Sequence, residues 1–410
     1  MNTLILYSIA LRFAQGIFSY LNIAIQSNAL SERDFIEFSV VMNAILLSTF
    51  LDLGIGIRFV QNHLHKRGNT ENEDSHLLNY LRRNIFRFLA VSIFQSAIIS
   101  GYATIYYLRS REAVDVISLL TIFISCLTFS LAGLVARILI ARGLIAESIR
   151  YQLYGLVTQS LISLIGLYLN FDVLYFITSL AVPNFVTAYF SVRLIVKSTQ
   201  HQKLSFTKTS DPLSSGSVEI QTLQILQFLF GILPFIILAN NYSSTFFSEN
   251  IIEWRIFSSV SAAMSSLNLI QWRNLATRNP YIERTFTEDS SLRFKVSLGL
   301  VLSICVAVAT YLSWDVLSGN NSGVNISNLL LWSLYVPAQV IQWHYYYQYL
   351  SSSHYNILIM GTLLQIVSTL GSLIFFATSM SYRLPVAVLL GLFLSIVLFY
   401  KARKRYIGEM

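Results

Sequence analysis

Charge is scarce in this chain. Only 12% of its 410 residues are Asp, Glu, Lys or Arg, where a soluble domain carries about 25%. The shortage excludes an ordinary soluble globular protein of this length, which would spread charge over its whole surface. The charged residues that exist gather between long apolar blocks. Cysteine is nearly missing as well: Cys126 and Cys305 are the two present, both inside apolar blocks. They read as packing thiols, not as a disulfide or a metal site. The six histidines show no ligand spacing within a block. G-x-G-x-x-G, Walker A, G-x-S-x-G and H-E-x-x-H motifs are all lacking. The longest polar connections, near 61–84, 197–220 and 274–293, run to about 20 residues each, too short to house a catalytic domain. These absences point away from an enzyme and from a bound cofactor or metal. Residues 1–25 also lack a basic leader region and a small-residue cleavage site, so the first apolar block is expected to be retained.

What the chain has is apolar length: 54% of it is hydrophobic and 14% aromatic. A bilayer-crossing helix takes about 20 mostly apolar residues. That ruler predicts an all-α polytopic membrane protein with about twelve spans, over 4–25, 36–60, 85–108, 115–141, 151–170, 173–196, 221–240, 251–273, 294–313, 327–350, 355–378 and 383–400. With both termini cytoplasmic, 21 of the 28 Lys and Arg fall in inside connections and four in outside ones. This is the asymmetry of cytoplasmic loops. It accounts for the net charge of +8 without a nucleic-acid partner; membrane lipid is the expected surrounding.

The stretch KSTQHQKLSFTKTSDPLSSGSVEI is polar, rich in Ser and Thr, and lies near the midpoint, as a linker would. It divides the chain into an N-terminal six-helix bundle (1–200), a cytoplasmic linker (201–220) and a C-terminal six-helix bundle (221–410). A weak repeat supports the division. Glu37-Phe38 and Glu253-Trp254 correspond at an offset of 216, and the same offset sets Leu51-Asp52-Leu53 against Leu267-Asn268-Leu269. Two parallel bundles meeting over a central cavity is transporter architecture.

Polar faces suggest where that cavity lies. In span 1, Ser8, Arg12, Gln15, Ser19, Asn22 and Gln26 follow spacings of four and three, so they share one face. Lipid cannot satisfy such a stripe; it must face protein or water. Span 2 carries Glu37, Ala44, Ser48, Asp52 and Gly56 on one side, span 5 has Gln152, Gln159, Ser163, Gly166 and Asn170, and span 8 has Arg255, Ser259, Ala262 and Ser266. Small and hydroxyl residues also serve helix packing in membranes, so the span 5 face has two readings. Arg12 is different. It lies about 12 Å inside the span, and a central arginine costs about 2.5–3.5 kcal/mol to insert. It either lines a hydrated cavity or forms a buried ion pair with Asp52 or Glu37. Arg255, about a turn from the outer end of span 8, either lines the same cavity or reaches the interface. Guanidinium forks suit phosphate, so the cavity is expected to prefer an anionic solute. Arg12, Gln15, Ser19, Arg255 and Ser259 are the candidate substrate-binding residues. The cluster QWHYYYQYL (342–350) reads as an interfacial aromatic belt or as a stacking surface for sugars.

The segment SERDFIEFSVVMNAILLSTFLDLGIGIRFV (31–60) resembles the second span of Wzx-type polysaccharide flippases. These belong to the multidrug/oligosaccharidyl-lipid/polysaccharide exporter superfamily. The ending Leu51-Asp52-Leu53-Gly54-Ile55-Gly56 fits; the entry Asp34-Phe35-Ile36-Glu37-Phe38 lacks the usual glycine. SENIIEWRIFSSVSAAMSSLNLIQW (248–272) is similar to that family's eighth span. The resemblance implies a flippase in a bacterial inner membrane that moves a polyprenyl-pyrophosphate-linked oligosaccharide, such as an O-antigen unit, by alternating access. It implies a polysaccharide polymerase and a chain-length regulator as partners. It also implies roles for arginines in spans 1 and 8, here Arg12 and Arg255, and proton or sodium coupling with Glu37, Asp52 and Glu253 as candidates. A multidrug or metabolite exporter would share the fold. A membrane polysaccharide polymerase would carry a large outer loop, and the longest here is about a dozen residues. A membrane acyltransferase would need a catalytic histidine near a membrane face, and His344 is a poor lone candidate.

Overall fold

The computed structural model describes residues 2–47, 86, 89–90, 92–101, 116–141, 144–199, 217–241, 250–261, 264, 290–318, 324–351, 354–375 and 383–408. Among these residues the secondary structure is helical, with no strand. The helices are α1 (Asn2–Ala29), α2 (Glu32–Leu47), α3 (Val116–Ala141), α4 (Ile145–Tyr168), α5 (Val173–Ser179), α6 (Ala181–Thr199), α7 (Ser217–Asn241), α8 (Ser290–Ser318), α9 (Ile326–Ser333), α10 (Tyr335–Ser351), α11 (Tyr355–Phe375) and α12 (Arg383–Gly408). Residues 92–101 and 250–261 are helical too. Each of the twelve predicted spans therefore contains helix. Among the described residues, five stretches are long and apolar enough to cross a membrane by themselves: Leu119–Ile140, Val173–Ile195, Leu292–Trp314, Tyr355–Phe375 and Leu384–Lys404.

Two spans are broken, and both breaks have one cause. The sequence reads Ser179-Leu180-Ala181-Val182-Pro183 in one and Ser333-Leu334-Tyr335-Val336-Pro337 in the other. Proline has no N–H to give the carbonyl four residues back, and its ring clashes there. The helix closes one turn early in each case, with Leu180 N donating to the Ile177 carbonyl and Leu334 N to the Leu331 carbonyl, both at 3.1 Å. In an apolar surround the freed carbonyl needs a new donor. For Ser333 it is the Ser303 hydroxyl of α8, at 2.7 Å. Ser303→Ala should therefore lower stability by about 1–3 kcal/mol, the cost of a buried orphaned acceptor. Thermal unfolding in detergent reads this, and an unchanged midpoint would remove Ser303 from the account.

In the first half of the chain, α1 packs on α4, α4 on α6 and α6 on α3; in the second, α7 packs on α11, α11 on α12, α12 on α10 and α10 on α8. The halves meet where α1 touches α8 and α2 touches α7. Tyr20 of α1 shares a 2.9 Å hydrogen bond with Ser313 of α8, and its ring meets Trp314 edge-on. Residues 250–261 fill the seam. Ile251, Ile252, Ile256 and Phe257 are all buried, and Trp254 packs edge-on against Trp332 of α9.

The outer surface is apolar where lipid would touch it. On α8, Val301, Ile304, Val308 and Leu312 are exposed. Cys305, expected as a buried thiol, is exposed on that same helix, while Cys126 is buried as expected. An apolar helix gives no sign in its hydropathy of which side meets lipid, hence the error at Cys305.

Candidate functional site

A cavity of about 420 Å³ opens between α1, α3, α4, α6 and segment 250–261. The α1 stripe faces it: Arg12, Gln15, Ser19 and Asn22 all line the space, as do Arg255 and Ser259 from the other half of the chain. All five candidate binding residues thus meet at one cavity, which lies mostly within the first-half helices and is closed on one side by the second.

At one end the Arg12 guanidinium is held by two amides. Its Nη1 donates to Gln15 Oε1 at 2.7 Å and to Gln152 Oε1 of α4 at 2.9 Å. Gln15 is itself anchored, donating through Nε2 to the Ile149 carbonyl at 2.7 Å. The buried Nε of Arg12 makes no hydrogen bond. The expected alternative, an ion pair with Glu37, is not formed: Glu37 accepts from Arg33 Nε one turn earlier at 3.4 Å. Asp52, the other proposed partner, and the Asp-Leu-Gly stretch around it lie outside the described residues.

Arg255 sits further along the cavity and does not reach the membrane surface; it is 5% exposed. Its Nη2 donates to Gln26 of α1 at 3.1 Å and contacts Met42 Sδ of α2 at 2.8 Å. The guanidinium carbon lies 5.6 Å from the Phe38 ring centroid and 6.0 Å from that of Phe35. Nη1 makes no hydrogen bond. Among the described residues neither Arg12 nor Arg255 has an acidic partner. Ser258 and Ser259 donate back to the Arg255 carbonyl at 3.0 and 2.9 Å, which leaves their lone pairs as the groups a ligand could use.

A buried cation that lacks a counter-charge costs stability unless something binds it. Arg255→Met is therefore expected to hold or raise the thermal midpoint, since methionine suits the Phe35, Phe38 and Met42 surround and loses one hydrogen bond worth about 1 kcal/mol. A clear fall in that midpoint would mean the guanidinium is structural.

Glu37 and Glu253 are both buried, at 3% and 0% exposure, but neither is among the cavity-lining side chains. The QWHYYYQYL cluster is placed differently from either expectation. Tyr345, Tyr346, Tyr347 and Tyr349 are 1–9% exposed, so they form no interfacial belt and no open sugar platform. They join a buried cluster with Leu134, Val135, Ile138 and Leu139 of α3, Tyr151 of α4 and Phe399 of α12. Their hydroxyls find partners inside: Gln227 donates to Tyr346 at 3.0 Å, and Tyr349 donates to the Phe399 carbonyl at 2.7 Å. Sequence reasoning missed the α3 and α6 walls altogether. Phe129, Ala132 and Pro183 line the cavity with no polar signal of their own, whereas Asn184 and Thr187, which also line it, belong with Ser191 to a short polar face of α6.

No family model and no curated protein matches the chain. Solved structures do match, over nearly the full length. An inward-facing multidrug resistance MATE family transporter of the MOP superfamily superposes with a TM-score of 0.63 at 13% identity, covering 98% of both chains. An outward-facing one gives 0.65 at 10% identity, covering 98% of this chain and 96% of that one. A MOP superfamily transporter from Pyrococcus furiosus, described as having a binding pocket of reverse polarity that suggests a different function, gives 0.65 at 12% identity over 98% and 94%. At such low identity the likeness establishes the fold: this chain is a multi-pass membrane protein built like these transporters.

Proposed function

We propose that this protein is a flippase for a polyprenyl-pyrophosphate-linked oligosaccharide, a surface-polysaccharide repeat unit such as O-antigen, in a bacterial inner membrane. One observation carries the reading: two guanidinium groups from opposite halves of the chain, Arg12 and Arg255, line one cavity, each with a buried N–H unused. Such donors suit the oxygens of a pyrophosphate. A cavity walled by arginines is a poor host for an organic cation, because like charges repel.

In this reading the N-terminal bundle (1–200) and the C-terminal bundle (221–410) rock about the seam, with both termini cytoplasmic. The pyrophosphate and its sugar occupy the cavity while the lipid tail stays in the bilayer. Glu37, Glu253 and Asp52 are the carboxylates that could couple the cycle to protons or sodium. A polysaccharide polymerase and a chain-length regulator would act on the delivered unit.

Proteoliposomes loaded with a fluorescent polyprenyl-pyrophosphate oligosaccharide provide the test. The protein should speed the label's passage between leaflets relative to protein-free vesicles. Failure to do so, together with efflux of an organic cation such as ethidium, would favour the drug-exporter reading that the shared fold also permits.

A further inference from the structure

The cavity contains a second set of unused polar groups that the arginines do not explain. Asn22 of α1 and Gln159 of α4 both line it, and they are 3% and 4% exposed. Both amide atoms of Asn22 and the Nε2 of Gln159 make no hydrogen bond. Buried side-chain amides are nearly always partnered, so two cavity-lining residues with three idle amide atoms between them call for a ligand.

Their register is informative. Gln15 and Gln152 meet across the α1–α4 contact at 3.5 Å. Asn22 is seven residues beyond Gln15, and Gln159 is seven beyond Gln152. As first and fifth crossings, α1 and α4 run in the same direction. Seven residues are two helical turns, about 10 Å, so the same interface repeats an amide pair at two levels. The lower pair is spent on Arg12; the upper pair is not.

We infer that Asn22 and Gln159 form a sugar-binding subsite, which reads the hydroxyl or acetamido groups of the ring attached to an anion seated on Arg12. The inference rests on the anion reading of Arg12 and adds a neutral, hydrogen-bonding subsite to it. Amides donate and accept side by side, which matches vicinal hydroxyls, and Phe129 lines the same space as an apolar wall for the ring's C–H face. A cavity of about 420 Å³ has room for a phosphorylated sugar, and the subsite reads the ring nearest the phosphate.

Binding by the purified full-length protein tests this, with inorganic phosphate and the 1-phosphates of glucose, galactose and N-acetylglucosamine as probes. At least one sugar phosphate should bind about tenfold or more tighter than inorganic phosphate, because a site built for hydroxyls discriminates against ligands without them. Asn22→Leu and Gln159→Met should each erase that increment and leave phosphate affinity unchanged. Both should keep or raise the thermal midpoint, since each removes an unpartnered buried polar group. The subsite is overturned if no sugar phosphate outbinds phosphate, or if the variants weaken both ligands in step. Absence of any phosphate binding would instead sink the anion reading. Methyl glucoside then decides the subsite alone: binding that Asn22→Leu abolishes upholds it, and no binding overturns it.

Discussion

Arg12→Gln should cut the initial rate of lipid-linked sugar translocation in proteoliposomes by about a hundredfold or more, with the yield of folded protein little changed. The rate estimate follows from the cost of removing a buried charge that pairs with an anion, about 2–5 kcal/mol; about 2.7 kcal/mol is a hundredfold. The yield should hold because the glutamine NH2 group still carries two N–H donors for the two amide acceptors that Arg12 now serves, Gln15 and Gln152. Arg12→Lys separates charge from shape. It keeps a positive group but loses the fork, so a loss of about tenfold is expected, between wild type and Arg12→Gln. Equal rates for all three proteins would end the role of Arg12 in binding. A collapse in folded yield for Arg12→Gln would make the arginine a structural residue instead.

Gly155→Leu should abolish folded protein, seen as loss of the monodisperse peak in detergent chromatography. Gly155 is where α4 and α6 touch: a Cβ there would collide with the carbonyl oxygen, carbonyl carbon and Cα of Pro183. All three are backbone atoms, so no rotamer change relieves the clash, and the helices must separate. Overpacking costs about 1–3 kcal/mol where side chains can yield, and more is expected here. Separation would also deform the cavity, because Leu156 and Pro183 both line it. Gly371→Ala is the control. Nothing lies within 4 Å of its added Cβ, and removing a mid-helix glycine should stabilise by about 0.5–1 kcal/mol. If Gly155→Leu folded as well as Gly371→Ala, the close α4–α6 approach would be wrong.

The legible part of this protein was whatever broke an apolar background. The α1 stripe stood out because Arg12 and Gln15 are costly in lipid, and that cost required it to face protein or water, with a cavity and a buried ion pair both open for Arg12. Gln152 and Gln159 were visible as a face of span 5, but periodicity alone could not say whether they served packing or a cavity; the bond from Arg12 to Gln152 answers for one of them. The α3 and α6 walls left only a faint trace, the shared face of Asn184, Thr187 and Ser191 on α6, since Ala132 and Pro183 line a cavity as quietly as they pack a helix. The tyrosines of α10 were misplaced for a related reason. Tyrosine suits an interface and a satisfied core equally well, and the choice rests on partners such as Gln227, distant in sequence.

Arg255 belongs to the second half of the chain, yet its guanidinium hydrogen-bonds Gln26 and packs on Phe38 and Met42, all in the first half. Any motion that parts the halves at this point must strip those contacts from it. In the proposed function, a bound anion that takes the place of Gln26 would lower the cost of that separation, and separation in turn would free the guanidinium to bind. By linkage these are one coupling free energy seen from two sides. Occupancy of the cavity and the angle between the halves would then not be independent variables, and the conformational equilibrium would be read out by a single side chain.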